Sequence, residues 1–270
     1  MTDWLSEKVP PGVNVPDDEM RMFGAEDQIR EEAESWAERR LPKPYYEEPE
    51  SGIVIYHADC RDILPLLPKV DLVLVTDPPY GISYDASHDK YKNGISREEA
   101  EWDKQPFDPA HLIALGLPSI IWGGNCFSSK LPDHPGWLCW VKTVRDGAEI
   151  RQADMEMAWT NCIRRPQTIR HLWIGAYRDS ESGKQNFHPT QKPERVMRWC
   201  ISLLPGAAAI LDPYMGSGTT LVAAKQLGRR AIGIEIEEKY CAIAVERLRQ
   251  AVLPLEPAAP EPEQLPLESE

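Results

Sequence analysis

The 270-residue sequence lacks three features that would assign it to the membrane, secreted or zinc-binding proteins. It has no run of about 18 consecutive apolar residues, which argues against a membrane-spanning helix. The N-terminal residues contain no apolar core segment, so a secretory signal peptide is not expected. The six cysteines are too far apart for a CxxC pair, so neither a zinc knuckle nor a dithiol redox motif is predicted. These absences favour a cytoplasmic protein with reduced thiols.

The sequence is acidic overall, but the excess of acidic residues is confined to its two ends. The net charge is −13, of which residues 1–51 carry −8 and residues 251–270 carry −5. Residues 52–250 contain 24 acidic and 24 basic side chains and are therefore neutral. Because residues 142–198 are locally basic, the total charge does not exclude a negatively charged partner.

Composition divides the chain into three parts. Residues 1–51 are predicted to form an acidic N-terminal arm with a helix at about 25–40 and a proline-rich connector from Leu41 to Ser51. This helix is interpreted as packing on the body, in preference to shielding a nucleic-acid surface. Residues 52–250 form the predicted body. Residues 251–270 are rich in proline and glutamate and cannot bury enough apolar area to fold, which predicts a disordered tail.

Strand and helix signals alternate along the body, which favours an α/β fold with a mainly parallel sheet covered on both faces. The segment Asp71 to Thr76 is almost continuously apolar, as expected of a strand buried on both faces. The polar segment 81–107 is predicted to be a long loop. The predicted strands are 53–56, 71–76, 119–122, 137–141, 153–160, 170–174, 208–212 and 231–235, and the predicted helices are 61–67, 108–116, 194–203, 217–227 and 238–250.

A glycine turn joins a predicted strand to a predicted helix. It comprises Asp212, Pro213, Tyr214, Met215, Gly216, Ser217, Gly218, Thr219 and Thr220. Glycines let the backbone approach a ligand, and the helix N-terminus offers N–H donors. Glu235, at the end of the next strand, is placed to accept both ribose hydroxyls of a nucleoside. The alternative is a purely structural strand–turn–helix unit, but the spacing favours a nucleoside cofactor.

Two details of this turn indicate which nucleoside is bound. Leu221 occupies the position of the third glycine in dinucleotide motifs, and Asp212 precedes the first glycine. A carboxylate there would repel a pyrophosphate but attract the ammonium group of an amino acid. S-adenosyl-L-methionine has such an ammonium group, two ribose hydroxyls and no phosphate, so it is the predicted cofactor.

A second motif follows the apolar strand and comprises Thr76, Asp77, Pro78, Pro79, Tyr80 and Gly81. Ligands of open parallel sheets bind at the carboxyl ends of the strands. The prolines leave carbonyl oxygens as acceptors, Asp77 adds another acceptor, and Tyr80 offers a flat ring for stacking. Together they could hold a planar ring that bears an exocyclic amine. The alternative is a proline-rich turn that caps the strand.

A third motif precedes helix 194–203 and comprises Phe187, His188, Pro189, Thr190, Gln191, Lys192 and Pro193. It offers four hydrogen-bonding side chains between two prolines. No metal site is predicted, because His188 has no neighbouring ligand at a zinc spacing. The alternative is a loop that begins a helix.

In this order, with the glycine turn last, the three motifs resemble those of the permuted β group of N6-adenine and N4-cytosine DNA methyltransferases of bacteria and phages. The resemblance covers about residues 52–250 and implies a class I S-adenosylmethionine-dependent methyltransferase fold. That fold has a mostly parallel, seven-stranded sheet, here in a circularly permuted order. Two departures are Tyr214, where phenylalanine is commoner, and His57-Ala58-Asp59-Cys60, where Gly-Asp-Cys is commoner.

The resemblance implies methyl transfer from S-adenosyl-L-methionine to the exocyclic amine of a flipped base. The catalytic residues implied are Asp77, Pro78, Pro79 and Tyr80. Because Asp-Pro-Pro-Tyr is typical of adenine enzymes and Ser-Pro-Pro-Tyr of cytosine enzymes, N6 of adenine is favoured over N4 of cytosine. The cofactor-binding residues implied are Asp59, Asp77, His188, Thr190, Lys192, Asp212, Pro213, Gly216, Ser217, Gly218, Thr219 and Glu235.

Double-stranded DNA is the expected partner, a homodimer is compatible with the sequence, and neither a membrane nor a metal is expected. The interval 81–187 is too short for a separate recognition domain. Arg164 and Arg165 are the favoured pair for phosphate contact, although basic pairs are also common on solvated surfaces. Further candidates are Arg145, Arg151, Arg170 and Arg178.

Three other functions are less compatible with the sequence. An RNA or release-factor methyltransferase would normally have the glycine turn first. A silent DNA-binding module would be expected to lack Asp77 or the glycines, and both are present. A nicotinamide oxidoreductase would need the third glycine.

Overall fold

The computed structural model describes residues 41–69, 71–81, 105–143, 154–174, 177–181, 191–204, 206 and 208–250. Within them the strands are β1 (Tyr46–Glu48), β2 (Ile53–His57), β3 (Leu72–Thr76), β4 (Ser119–Trp122), β5 (Trp137–Val141), β6 (Met155–Thr160), β7 (Gln167–Arg170), β8 (Trp173–Ile174), β9 (Tyr177–Arg178), β10 (Ala209–Asp212) and β11 (Ala231–Glu235). The α-helices are α1 (Cys60–Ile63), α2 (Ala110–Ile113), α3 (Glu194–Ser202), α4 (Thr219–Gln226) and α5 (Glu238–Gln250). Two 3₁₀ helices occupy Leu64–Leu66 and Gly124–Lys130.

Nine of these strands form one sheet, in the order β1-β2-β11-β10-β3-β4-β6-β5-β7. The strands from β2 to β4 in this order pair in parallel, whereas β1 and β6 pair antiparallel to their neighbours. The α/β fold with a mostly parallel sheet is therefore confirmed. The sheet is wider than the expected seven strands, because the short strands β1 and β7 extend its two edges.

Apolar side chains cover both faces of the sheet, because neighbouring residues of a strand point to opposite faces. Val73 and Val75 of β3 share an apolar cluster with buried residues of α3, α4 and α5. Leu72 and Leu74 of the same strand share the opposite cluster with residues of α1 and α2. This two-sided burial explains why β3 is apolar throughout.

The structure corrects two sequence-based expectations about the elements. A single strand was predicted at 170–174, but β7 ends at Arg170 and β8 pairs with β9 in a separate ribbon. The segment predicted as a connector contains β1, which pairs with β2, and Glu48 of β1 forms an ion pair with Lys225 of α4. The predicted N-terminal helix, the predicted tail and most of loop 81–107 lie outside the described residues. None of the described helices is long and apolar enough to cross a membrane.

Strand direction decides which residues meet at each edge of the sheet. Strands β2, β11, β10, β3 and β4 are parallel, so they all end at one edge, which we call the carboxyl edge. The antiparallel strand β6 begins there, and β5 and β7 end there. The residues after β3, β10 and β11 therefore lie together with the start of β6.

Candidate active site

The second and third sequence motifs meet at the Asp77 carboxylate, which directly follows β3. Nζ of Lys192 lies 2.6 Å from Oδ2 of Asp77, although the two residues are 115 positions apart. The Tyr80 hydroxyl donates a hydrogen bond of 2.6 Å to Oδ1 of Asp77. Nζ of Lys192 also donates to the Tyr80 hydroxyl oxygen at 2.8 Å. Both oxygens of Asp77 are therefore held by neighbouring side chains.

The electrostatics of this contact make Lys192 a cation and not a base. Burial would lower the pKa of Lys192, but the carboxylates of Asp77 and Glu156 raise it above its ordinary value. Burial raises the pKa of Asp77, and the Lys192 ammonium opposes that increase. Burial and the two carboxylates raise the pKa of Tyr80, so its hydroxyl stays protonated and donates to Asp77.

The ring of Tyr80 lies directly against the backbone at Gly123, which follows β4. A Cβ atom at position 123 would lie 2.1 Å from Cε1 of Tyr80, and Gly123 has a positive φ of 73°. Only glycine combines this close approach with this backbone conformation. Gly123 thus lets the ring pack beside β4 with its hydroxyl on Asp77.

The glycine turn lies between β10 and α4 and is anchored by Glu235 at the end of β11. Oε2 of Glu235 accepts a hydrogen bond of 2.9 Å from the Gly216 N–H, and Oε1 accepts one of 2.9 Å from the Glu237 N–H. Burial raises the pKa of Glu235, while these backbone donors lower it. A carboxylate has about four lone-pair positions, so Glu235 retains acceptors for two hydroxyls.

Gly218 begins α4 in a conformation that brings two helices together. Its φ is 80°, and a Cβ atom there would lie 2.7 Å from Cβ of Ala244 in α5. The turn thus brings backbone N–H groups to the carboxyl edge, where they can face a ligand. Together with the acceptors of Glu235, this arrangement fits the nucleoside and amino-acid parts of S-adenosyl-L-methionine.

Asp212 is buried at the end of β10, and its carboxylate accepts hydrogen bonds from β3 and from the glycine turn. Its Oδ1 accepts hydrogen bonds from the Thr76 hydroxyl at 2.7 Å and from the Tyr214 N–H at 3.1 Å. Hydrogen bonds from Thr220 and Thr76 lower the pKa of Asp212, but burial has the larger effect and raises it to about 6. Asp212 therefore joins β10 to β3 and shapes the turn, while its contact with the cofactor ammonium stays a prediction.

The remaining residues implied by the resemblance lie around this edge or outside the described residues. Asp59 caps α1 by accepting from the Arg61 N–H at 2.9 Å and forms an ion pair with the Arg61 side chain. The Tyr214 hydroxyl lies 2.9 Å from Nε2 of His111. His188 and Thr190 lie outside the described residues, so their assigned roles stay predictions.

Arg247 of α5, which sequence analysis did not identify, holds the glycine turn from behind. It is buried, and its Nη1 donates to the Ser217 carbonyl at 2.8 Å and to the Thr219 hydroxyl at 3.0 Å. Its Nη2 donates to Oε1 of Glu194, at the start of α3, at 3.1 Å. Arg247 thus connects the turn to the helix that follows the third motif.

We predict that Arg247→Met weakens binding of S-adenosyl-L-methionine by about tenfold, because the turn loses charged hydrogen bonds that fix its backbone. Titration calorimetry with the cofactor measures this change. The matched control is Arg249→Met, which removes the same charge from an exposed position of the same helix. Equal affinities for the two variants would contradict the role of Arg247.

Glu156 is a second residue that sequence analysis missed. It lies in β6 at the carboxyl edge, with Oε2 at 2.9 Å from Nζ of Lys192. For both residues that sequence analysis missed, Glu156 and Arg247, the sequence contains a signal that could have identified them. Glu156 is the only acid in the strand Met155–Thr160, and Arg247 falls on the helix face of buried Tyr240 and Ala244.

The predicted phosphate contact of Arg164 and Arg165 stays a prediction, and the structure shows only where the two residues lie. Both are exposed and follow β6, which runs antiparallel to β4 with Thr160 opposite Ile120. They therefore lie at the edge of the sheet opposite to Asp77. By contrast, Arg170 ends β7 at the carboxyl edge, and the Arg178 guanidinium lies 4.3 Å from the centre of the Trp173 ring.

The described residues contain no group of three or more His, Cys, Asp or Glu side chains that could hold a metal ion.

Comparison with known proteins identifies the family. The family model of N6/N4 DNA methylases matches residues 141–246. The type II methyltransferase M2.DpnII of Streptococcus pneumoniae is 43% identical over an alignment of 251 residues, and the match covers 77% of this chain and 93% of the relative. M2.LlaDCHI of Lactococcus lactis subsp. cremoris is 26% identical over 253 residues, covering 78% and 93% of the two chains.

Among solved structures, the cytosine-N4-specific PvuII DNA methyltransferase has a TM-score of 0.53 and 16% identity, covering 77% of this chain and 90% of that one. This likeness shows the class I methyltransferase fold. The chain belongs to the N6/N4 DNA methylase family. It is a site-specific DNA methyltransferase that uses S-adenosyl-L-methionine, as the sequence motifs implied.

Proposed function

We propose that this protein methylates N6 of adenine in double-stranded DNA after the base has been flipped out of the helix. The observation that carries the proposal is the Asp77 carboxylate, held at the carboxyl edge by Lys192 and Tyr80 and close to the glycine turn. An amine buried in a duplex is not accessible to such a group, so the base must leave the stack.

In the proposed reaction, Asp77 and the Pro78 carbonyl accept the two hydrogens of the adenine amine. These hydrogen bonds would draw the nitrogen lone pair out of the ring and orient it, so that catalysis is mainly positioning and electrostatics. Bound S-adenosyl-L-methionine supplies an electrophilic methyl group. The buried position of Asp77, which raises its pKa, suits it to take up the proton that the amine loses.

We propose that the glycine turn and Glu235 hold the cofactor, with Glu235 accepting from the ribose hydroxyls. Asp59 is assigned to the adenine end of the cofactor, and His188 and Thr190 to its binding loop. The resemblance also implied a cofactor contact for Lys192, but its ammonium contacts Asp77 and Tyr80. We therefore propose that Lys192 holds Asp77, which is the acceptor for the target amine, and does not contact the cofactor.

Arg170 and Arg178 are our candidates for DNA phosphate contact, because they lie near the end of β7 at the carboxyl edge. We propose that the enzyme is the modification enzyme of a type II system, as its relatives are named, and acts in the cytoplasm of a bacterial or phage-infected cell.

N4 of cytosine is the alternative target, because it is also an exocyclic amine that two acceptors could bind. The Asp-Pro-Pro-Tyr motif favours adenine. Mass spectrometry of nucleosides from DNA methylated by the purified enzyme should detect N6-methyladenine, and RNA should accept no methyl group. Detection of N4-methylcytosine alone, or methylation of RNA alone, would refute the proposal.

The structure changes the expected importance of the Tyr80 hydroxyl. Sequence analysis assigned Tyr80 a stacking role through its flat ring, but its hydroxyl also contacts both Asp77 and Lys192. Tyr80→Phe should therefore lower kcat by about tenfold, since one charge-assisted hydrogen bond is lost. Steady-state methylation assays measure this effect, and Tyr80→Ala should be less active still. A phenylalanine variant with the parental kcat would show that the hydroxyl is dispensable.

A further inference from the structure

Glu156 and Lys142 extend the active-site ion pair beyond the three sequence motifs. Oε2 of Glu156 lies 2.9 Å from Nζ of Lys192, and its Oε1 forms an ion pair with Nζ of Lys142. Glu156 lies near the start of β6, and Lys142 follows the end of β5, so the topology brings both to the carboxyl edge. The four groups form an ion-pair network that runs from Asp77 through Lys192 and Glu156 to Lys142.

The Lys192 ammonium has three hydrogens, and the structure offers one acceptor to each. These acceptors are Oδ2 of Asp77 at 2.6 Å, the Tyr80 hydroxyl at 2.8 Å and Oε2 of Glu156 at 2.9 Å. The Lys192 side chain is only 5% exposed, so water cannot readily replace a lost acceptor. Glu156 therefore fixes the side of the ammonium that Asp77 and Tyr80 do not hold.

We propose that Glu156 is a positioning residue for methyl transfer, which holds Lys192 and shares its charge so that Asp77 remains a strong acceptor for the target amine. This inference rests on the proposed role of Asp77. Glu156 does not touch the reacting amine in this proposal but acts through Lys192.

The balance of charge gives the physical reason. Asp77 and Glu156 carry two negative charges, and Lys192 and Lys142 carry two positive charges. The ion-pair network therefore has no net charge. Without the charge of Glu156, two cations face one carboxylate, and the Lys192 ammonium interacts more strongly with Asp77. An oxygen atom that is more strongly bound to a cation accepts more weakly from an amine and takes up its proton less readily.

Glu156 keeps its charge over the working pH range. Burial would raise the pKa of Glu156, but the ammonium groups of Lys192 and Lys142 lower it to about 2. Its negative charge in turn raises the pKa of Asp77, as does burial, while Lys192 and the Tyr80 hydroxyl lower it. Among the described residues, the Asp212 carboxylate also interacts with Asp77, and Cys126 interacts with Tyr80.

The test is Glu156→Gln, which keeps the size of the side chain and removes its charge. We expect kcat to fall by about tenfold or more, with the cofactor dissociation constant changed by less than about threefold. Because the variant removes a negative charge near Asp77, the pKa of Asp77 should fall. The acid limb of the profile of kcat against pH should then move to lower pH. A purely structural role would not produce this pH shift.

Glu48→Gln is the matched control. Glu48 also lies in a strand, has the same 20% side-chain exposure as Glu156 and pairs with a lysine, Lys225. It lies in β1, outside the active site. We expect it to change kcat by less than about twofold and to leave the pH profile unchanged, because the pair contributes at most local stability.

Thermal unfolding establishes whether each variant is folded. If Glu156→Gln is not, Glu156→Asp keeps the charge but withdraws the carboxylate from Lys192, and a kcat lowered by about threefold or more supports the proposal. A folded variant with the parental kcat and pH profile overturns it, as does an equal loss in Glu48→Gln. The nucleosides formed by the parent enzyme are analysed in the same assay. A product other than N6-methyladenine therefore refutes the adenine assignment separately from the role of Glu156.

Discussion

Replacing Asp77 by alanine or asparagine should lower kcat by about 100- to 1000-fold, because the transition state loses its charged acceptor for the amine. The asparagine variant keeps the shape of the side chain but removes its charge and its ability to take up the proton. It also leaves the buried Lys192 ammonium without one of its two carboxylate partners. The loss should therefore appear in the chemical step, while the cofactor affinity stays nearly unchanged.

Single-turnover methylation of a DNA duplex measures the chemical step, and calorimetry measures cofactor affinity. Asp62→Asn, which removes the same charge from an exposed position of α1, is the control. A kcat for Asp77→Asn within about tenfold of the parent would exclude Asp77 as the acceptor that orients the amine.

Glu235→Ala should raise the cofactor dissociation constant by about tenfold or more, since a charged hydrogen bond contributes about 1.5–3 kcal/mol. Two reasons lead us to expect this loss. In the proposed site the carboxylate accepts from the ribose hydroxyls, and in the structure its Oε2 accepts from the Gly216 N–H of the glycine turn at 2.9 Å. Both the ligand contact and the shape of the turn depend on it.

The control for Glu235 is Glu237→Ala, which removes an exposed carboxylate two residues away and keeps the backbone N–H that bonds to Glu235. Calorimetry should give the parental affinity for this variant. An unchanged affinity for Glu235→Ala would remove Glu235 from the cofactor site. The Asp77 and Glu235 variants together separate loss of chemistry from loss of cofactor binding.

The sequence by itself determined the order of most elements and the class of the enzyme. Strands β4, β5 and β11 and helix α5 have the predicted bounds. Their apolar runs are local signals that depend on burial and not on which strand lies beside them. The three motifs were equally recognisable, because each is a short segment whose chemistry is contained in its own residues. The family and cofactor followed from them.

The tertiary structure alone decided which of these segments meet. The antiparallel direction of β6 brings Glu156 to Asp77 and carries Arg164 and Arg165 to the opposite edge, and no local pattern specifies that direction. Arg247 reaches the glycine turn only because α5 packs beside Gly218. The ion pair between Lys192 and Asp77 joins residues 115 positions apart. Such contacts depend on strand order and register, which the packing of the whole sheet determines.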